Sequence, residues 1–180
     1  MSNRWGEFEG EVITRWLRNP NGPDRDMMLT TDLTYIDQHG QRWEAQQGRT
    51  VNGASIPEAF WTVIGPPFVG DYRRASVVHD IGCEDQVSTS DQVHEMFYNA
   101  MRCDGVGAIK AQVMYQAVRK FGPQWGAGPA GVAAARTVTV EDASRIQVAT
   151  EKAFESLGID ASNEEISKAV DNILSEMTAI

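Results

Sequence analysis

A histidine and an aspartate stand side by side at His79-Asp80, directly after the largely apolar run 75–78. The chain has only three histidines, and a second one, His94, follows a short distance further on. Burying titratable side chains among apolar ones is costly unless they are paired or bind a metal. This cost makes the run the first place to look for a functional site.

Helical spacing brings further reactive side chains toward this pair. Residues three and four apart share a face of an α-helix. On one predicted helix His79 shares a face with Cys83, and on the next Asp91 shares a face with His94. Packing of the two helices would therefore bring His79 and Asp80 against His94 or Asp91.

The residue types allow two metal chemistries at this site. In the first, His79 is a general base oriented by a residue of the second helix, and Asp80 binds a hard cation such as Ca²⁺ with help from loop carbonyls. In the second, His79, Asp80 and either His94 or Cys83 hold a transition metal such as Zn²⁺. Two glutamates could then shuttle protons: Glu84 and Glu95.

A third interpretation of the same residues is structural. Asp80 would cap a helix or pair with Arg73 or Arg74, and the histidines would be hydrogen-bonded members of the core. Residue types and spacing alone leave all three interpretations open.

Ser55 stands in the segment 50–57, where Asn52-Gly53 favours a turn with a positive φ angle. Its hydroxyl can cap a helix that begins near Pro57, since proline is well tolerated in a first turn. A nucleophilic serine is the functional alternative, but no Gly-x-Ser-x-Gly context surrounds Ser55. We therefore predict a capping role.

The first part of the chain predicts strands and the next part predicts helices. Three segments are rich in β-branched and aromatic residues and are separated by turn residues, which predicts an antiparallel β meander: 11–17, 27–37 and 42–45. Three later segments repeat apolar residues with helical spacing: 72–84, 90–103 and 108–121. We predict an α+β domain over residues 1–121 that carries the His-Asp site.

The remainder of the chain predicts a linker and a helical appendage. Residues 122–139 are rich in Gly, Ala and Pro, which is typical of a linker. Apolar residues at helical spacing then predict an amphipathic helical hairpin within residues 140–180. This tail either folds back on the domain or docks on a partner, and the sequence leaves both open.

Composition excludes several classes of protein. The net charge of −9 and a pI near 4.8 argue against a nucleic-acid-binding protein, which needs a basic surface. No apolar run is long enough for a transmembrane helix, and the first residues lack the apolar core of a signal peptide. Two cysteines do not make a disulfide framework. We expect the chain to be made and folded in a cytoplasm.

A series of motifs follows a fixed order along the chain: Asn52-Gly53-Ala54-Ser55-Ile56-Pro57, Trp61, Ala75-x3-His79-Asp80, Phe97-Tyr98-x-Ala100-Met101, Met114-Tyr115-x-Ala117-Val118-Arg119 and Phe121-Gly122-Pro123-x-Trp125. Over about residues 5–125 these motifs and their order resemble a phage and bacterial family that is catalogued as domain of unknown function 1353. The resemblance implies a phage or prophage origin, with synthesis in the bacterial cytoplasm and association with a virion, and no particular activity.

A second set of motifs resembles phospholipase A₂-like domains, most closely their viral capsid versions. The set comprises Ile64-Gly65-Pro66-Pro67, Gly70-Asp71-x3-Ala75 and His79-Asp80, with Phe97 on the following helix. The resemblance implies that His79 activates the attacking water, and that Asp80 and a loop containing Gly65 hold Ca²⁺. An aspartate of the second helix would orient the histidine.

The chain departs from the phospholipase pattern at three positions. His94 stands where that family has the orienting aspartate, Cys83 replaces a tyrosine, and Pro67 replaces a loop glycine. A histidine cannot supply the negative charge that stabilises an imidazolium. Asp91, one turn earlier, could compensate, or His79, Asp80 and His94 could form a metal site instead.

Two functional hypotheses follow. The first is a phage- or prophage-encoded hydrolase that depends on Ca²⁺ or Zn²⁺, an esterase or phospholipase-like protein acting on the host envelope. The second is a non-enzymatic virion or tail component that oligomerises or docks on a protein partner through residues 140–180. The candidate catalytic residues are His79, Asp91 and His94, and the candidate metal ligands are Asp80, Gly65, His79 and His94.

Overall fold

Six strands precede six helices in a computed structural model that describes residues 3–18, 25–53, 55–64, 70–126, 138–158 and 160–178. The strands are β1 (Glu7–Glu9), β2 (Thr14–Trp16), β3 (Met27–Leu29), β4 (Leu33–Ile36), β5 (Arg42–Ala45) and β6 (Thr50–Val51). The helices are α1 (Glu58–Ile64), α2 (Arg73–Asp85), α3 (Ser90–Cys103), α4 (Ala108–Phe121), α5 (Val140–Leu157) and α6 (Asn163–Thr178). The α+β fold class, with antiparallel strands before the helices, is confirmed.

The strands divide between two antiparallel sheets, with the orders β1-β4-β5 and β2-β3-β6. The predicted strand 27–37 is interrupted between β3 and β4, where the chain passes from one sheet to the other. Thr30 and Thr31 hold this crossing, because their hydroxyls donate to the carbonyls of Ile13 and Glu11, each at 3.0 Å. The predicted meander is thus divided into two sheets at the point where the two threonines form hydrogen bonds to residues 11 and 13.

Helices α2 and α3 pack against each other beneath the sheets. A capping box at Thr89, closed by the Gln92 side chain, fixes the start of α3. Gly82 lets the two helices approach closely, since a Cβ atom at this position would lie 3.0 Å from Cγ1 of Val93. The shared core is formed mainly by aliphatic and aromatic side chains, including Leu29, Leu33, Tyr35, Val77, Ile81, Phe97 and Met101.

The tail helices α5 and α6 pack on α1 and α4 of the same chain. Phe60 of α1 and Val113 of α4 share an apolar cluster with Ile146 of α5. On α6, Ser167 accepts a hydrogen bond from the Gln116 amide at 2.7 Å, and Asp171 forms ion pairs with two basic side chains of α4, Arg119 and Lys120. The inner face of the tail is therefore occupied by its own domain, while most of the predicted linker, residues 127–137, lies outside the described residues.

No described helix combines the length and apolar character that crossing a membrane requires.

Gly6 offers a test of the contact between the β1 segment and β4. Both Gly6 and Gly40 have a positive φ angle, but a Cβ atom at Gly6 would overlap the carbonyl oxygen of Ile36, whereas one at Gly40 would meet nothing within 4 Å. Gly40→Ala should therefore cost only backbone strain, and Gly6→Ala should lower the free energy of unfolding by about 2 kcal/mol more. Urea unfolding of the two variants measures the difference. Equal losses would show that the Ile36 contact is relaxed at no cost.

Candidate metal centre between α2 and α3

His79 of α2 and His94 of α3 meet in the core, and both side chains are fully buried (0% exposed). Nε2 of His79 lies 2.9 Å from Nδ1 of His94. The Phe97 ring stacks on the His79 ring at 4.4 Å between centroids, and Trp125 meets the His94 ring edge-on at 6.1 Å. Helical spacing on α2 and α3 predicted this meeting, and the aromatic neighbours fix both rings in place.

The outer nitrogen of His94, Nε2, faces away from His79, and its hydrogen-bond partner determines where the proton of the neutral ring lies. Nε2 lies 3.1 Å from the carbonyl oxygen of Pro123, which can only accept a hydrogen bond. A neutral His94 therefore carries its proton on Nε2. Its inner nitrogen, Nδ1, then presents a lone pair toward His79.

The outer nitrogen of His79 contacts a serine that is itself bonded to a carboxylate. Nδ1 of His79 lies 3.1 Å from Oγ of Ser55, and the same hydroxyl donates to Oδ1 of Asp80. Because Ser55 has one hydroxyl hydrogen and gives it to the carboxylate, its oxygen is left to accept from His79. A neutral His79 then carries its proton on Nδ1 and presents the lone pair of Nε2 toward His94.

Asp80 receives hydrogen bonds from the loop that follows β6. Its Oδ2 accepts from the backbone N–H groups of Gly53 at 2.6 Å and Asn52 at 3.1 Å, and the Ser55 backbone also donates to the carboxylate. Burial raises the pKa of Asp80, while these hydrogen bonds act in the opposite direction. The carboxylate thus fixes the loop to α2 and holds the hydroxyl that contacts His79.

Cys83 completes a cluster of three possible metal ligands. Its Sγ atom lies 3.6 Å from Nε2 of His79, and the ligand atoms of His79, Cys83 and His94 all lie within 4.8 Å of one another. Burial lowers the pKa of His79 well below its usual value and that of His94 to about 4, so both rings are neutral near neutral pH. Neutral imidazoles are the form that binds metals.

With the outer nitrogen of each ring protonated, the two inner lone pairs face each other across 2.9 Å, and a metal ion between them would stabilise this arrangement. Ligand atoms around a tetrahedral zinc ion lie roughly 3.3 to 3.6 Å apart, as its usual bond lengths dictate. The sulfur–nitrogen distance of 3.6 Å already fits, and the two nitrogens would have to separate by a few tenths of an ångström. The cluster can therefore hold a metal ion.

Asp91, Glu84 and Glu95 make no hydrogen bond to either histidine ring among the described residues. Asp91 is exposed in the first turn of α3 and, within the described residues, makes no hydrogen bond to His79. Gly65 lies outside the described residues. The predicted proton shuttles are both exposed, and Glu84 forms an ion pair with Arg49.

The hydrogen-bonding partners differ from the expected ones at two positions. Arg74, one of the two arginines considered for Asp80, forms an ion pair with Asp104. Ser55 is not a helix cap, because its hydroxyl is bonded to Asp80 and His79. The local signals around Ser55, a turn and a following proline, carry no information about a partner on α2, since that contact forms only when the chain folds.

The centre lies inside the part of the chain that a known family covers. A family model described as "Protein of unknown function (DUF1353)" matches residues 27–118. This range extends from β3 into α4 and includes all three clustered ligands. It leaves out β1, β2 and the tail helices.

Two curated relatives come from Sinorhizobium fredii (strain NBRC 101917 / NGR234). "Uncharacterized protein y4jT" is 45% identical over 97 residues, which is 54% of this chain and 29% of the relative. "Uncharacterized protein y4iH" is 36% identical over 99 residues, which is 55% of this chain and 41% of the relative. The chain therefore spans less than half the length of each. No solved structure matches the chain.

Proposed function

The chain belongs to the DUF1353 family, whose function is unknown, and from its buried histidine pair we propose that it is a hydrolase-like protein that binds a divalent transition metal of the zinc class. The single observation that carries this proposal is the buried cluster of His79, Cys83 and His94, whose ligand atoms all lie within 4.8 Å of one another.

The donor atoms favour zinc over calcium. Two imidazole nitrogens and a cysteine sulfur, whose buried thiol has a raised pKa and would lose its proton on binding the ion, suit Zn²⁺, whereas Ca²⁺ takes oxygen ligands. The carboxylate that the phospholipase resemblance assigns to calcium, Asp80, already accepts hydrogen bonds from the backbone of Asn52 and Gly53 and from the Ser55 hydroxyl. A cation at Asp80 would have to displace these donors.

The number of ligands favours a reactive site. Structural zinc sites are closed by four protein ligands, whereas catalytic sites use three and keep one position open. Within the described residues, only His79, Cys83 and His94 form a metal-binding cluster. A zinc-class ion bound here would activate a water molecule or polarise an ester carbonyl.

The residues around the ion would orient its ligands and exclude solvent. Phe97 covers one face of His79, and Trp125 borders His94, so the ligands cannot rotate away. The Pro123 carbonyl holds the outer N–H of His94 and keeps its inner nitrogen free. Low exposure to water strengthens the electrostatic interactions inside such a site. An ester, including an envelope lipid, is the substrate class that the phospholipase resemblance suggests.

A purely structural metal site is the second candidate. It is favoured by the burial of all three ligands, of which the most exposed, Cys83, is only 8% exposed. In that case the ion would raise the stability of the fold without turnover. The virion-component hypothesis also stays a proposal, and it requires partners that use the outer face of α5 and α6, since α1 and α4 cover the inner face.

Metal content and thermal stability of the purified full chain test the proposal. We expect one equivalent of Zn²⁺ per chain and a rise in melting temperature on zinc addition, both lost in Cys83→Ser and His94→Gln. Cys103→Ser is the matched control, because Cys103 is also a free cysteine but lies outside the cluster. Wild type that takes up no zinc, cobalt or nickel would contradict the proposal.

Ester hydrolysis by the zinc-loaded protein separates the two candidates. Turnover that requires zinc and disappears in Cys83→Ser, but not in Cys103→Ser, supports a hydrolase. A bound ion that stabilises the fold without turnover on short-chain esters or phospholipid vesicles supports the structural site.

A further inference from the structure

We propose that Ser55 is a positioning residue of the metal centre. Its hydroxyl links the His79 ring to the negatively charged carboxylate of Asp80 by hydrogen bonds, and this link sets the affinity of the centre for the metal. This inference rests on the proposed metal site and adds a residue that lies far from the ligands in sequence. Ser55 is buried, 6% exposed, and its hydroxyl contacts both Asp80 and His79.

The direction of each hydrogen bond follows from the chemistry of the three groups. A carboxylate can only accept, so the single hydroxyl hydrogen of Ser55 points to Oδ1 of Asp80. The Ser55 oxygen then accepts the N–H at Nδ1 of His79, across 3.1 Å. With its proton held on the outer nitrogen, His79 keeps Nε2 free to bind a metal.

The backbone of the same loop fixes the carboxylate at the end of this relay. Asn52 and Gly53 donate their N–H groups to Oδ2 of Asp80 at 3.1 and 2.6 Å, which leaves Oδ1 for the hydroxyl. A carboxylate that accepts the outer N–H of a metal-binding histidine orients the ring and makes the metal-binding nitrogen more basic. In this chain Ser55 lies between His79 and Asp80, so loss of the serine hydroxyl would remove the link between the ring and the carboxylate.

The outer N–H groups of the two histidines therefore have different hydrogen-bond acceptors. The outer N–H of His94 meets a neutral carbonyl, that of Pro123, whereas the outer N–H of His79 meets a hydroxyl backed by a charge. The same geometry argues against Ser55 as a nucleophile. A nucleophilic serine would have to donate its hydroxyl hydrogen to the histidine, and here that hydrogen is donated to the carboxylate of Asp80.

The test measures metal affinity in the full chain, by competition between the protein and a chromogenic chelator for Zn²⁺. Ser55→Ala is expected to weaken binding about 10- to 100-fold, as the loss of an outer hydrogen-bond partner does at other metal sites. Ser76→Ala is the matched control. Ser76 lies on α2 near His79 and is also buried, but its hydroxyl has no partner among the described residues. We expect Ser76→Ala to bind zinc within about twofold of wild type, since no hydrogen bond is lost.

Ser55→Thr and a spectroscopic measurement complete the test. Ser55→Thr keeps the hydroxyl and should restore most of the affinity that Ser55→Ala loses. In the zinc-loaded wild type, nitrogen-15 NMR should find the metal on Nε2 of His79 and the remaining proton on Nδ1, and the reverse assignment would contradict the role of Ser55 even if Ser55→Ala fails to fold.

Each outcome separates this inference from the proposed function. Zinc binding by Ser55→Ala as tight as in wild type, or a zinc-loaded His79 protonated on Nε2, overturns the role of Ser55 and leaves the metal centre standing. Absence of zinc binding in wild type overturns the metal centre itself, and the inference with it.

Discussion

Replacing Asp80 by alanine is expected to lower the free energy of unfolding by about 4 kcal/mol, because several donors would lose their acceptor at once. The backbone N–H groups of Asn52 and Gly53 and the hydroxyl of Ser55 all donate to this carboxylate. Each buried donor left without an acceptor costs about 1 to 3 kcal/mol, and two of these donors, Gly53 and Ser55, are buried. Urea unfolding with a chelator present measures this loss without a contribution from bound metal.

Two further variants define the origin of the Asp80 effect. Asp85→Ala removes a carboxylate from the last turn of the same helix, where it forms a surface ion pair with Arg49, and should cost less than about 1 kcal/mol. Asp80→Asn keeps one acceptor oxygen but turns an amide donor toward other donors, so its loss should lie between those of the two alanine variants. A loss for Asp80→Ala as small as that for Asp85→Ala would show that the loop does not depend on this carboxylate.

Replacing Ile146 by alanine is expected to lower the free energy of unfolding of the whole chain by about 3 kcal/mol. Ile146 is 2% exposed and packs from the tail helix α5 against Phe60 of α1 and Val113 of α4. Truncation there leaves a cavity between the tail and the domain. Because the cavity lies between the tail helices and the domain, the loss of stability should appear in the unfolding of the tail and in that of the domain.

The control for Ile146 lies on the same helix. Val148 is 39% exposed, and Val148→Ala should change the stability by no more than about 0.5 kcal/mol. Tryptophan fluorescence reports the domain, since all five tryptophans precede the tail, and circular dichroism reports the helices. A fluorescence transition that is unchanged in Ile146→Ala would show that the tail unfolds on its own and would favour the interpretation of residues 140–180 as an independent appendage.

Local sequence signals were sufficient for most of the helices. The ranges 72–84, 90–103 and 108–121 agree within a residue or so with α2, α3 and α4. Apolar periodicity and flanking glycines act over a few residues, so they can be read directly from the sequence. The division of the strands between two sheets could not be predicted in this way, since it depends on β1 pairing with β4 across the intervening strands.

The candidate site was predictable where it depends on helix faces and unpredictable where it depends on a distant loop. Helical spacing placed His79 and Cys83 on one helix face and predicted that His94 could approach His79, and the structure brings all three together. Residue type gave Asp80 a role as a cation ligand, and the structure shows this carboxylate bonded to the loop at Asn52 and Gly53. A contact between residues so far apart in sequence leaves no periodic signal.

The missing side chain at Gly82 would have a consequence for ion selectivity at the proposed metal centre. Helices pack about 8 to 10 Å apart, depending on the side chains at their contact, and Gly82 against Val93 permits a spacing near the short end of that range. His79 lies one turn before Gly82, and His94 directly follows Val93, so the gap between the rings is set by the distance between the two helix backbones. The radius of the ion that fits is thus a property of helix packing. A larger residue at position 82 could change the preferred metal without touching any of its ligands.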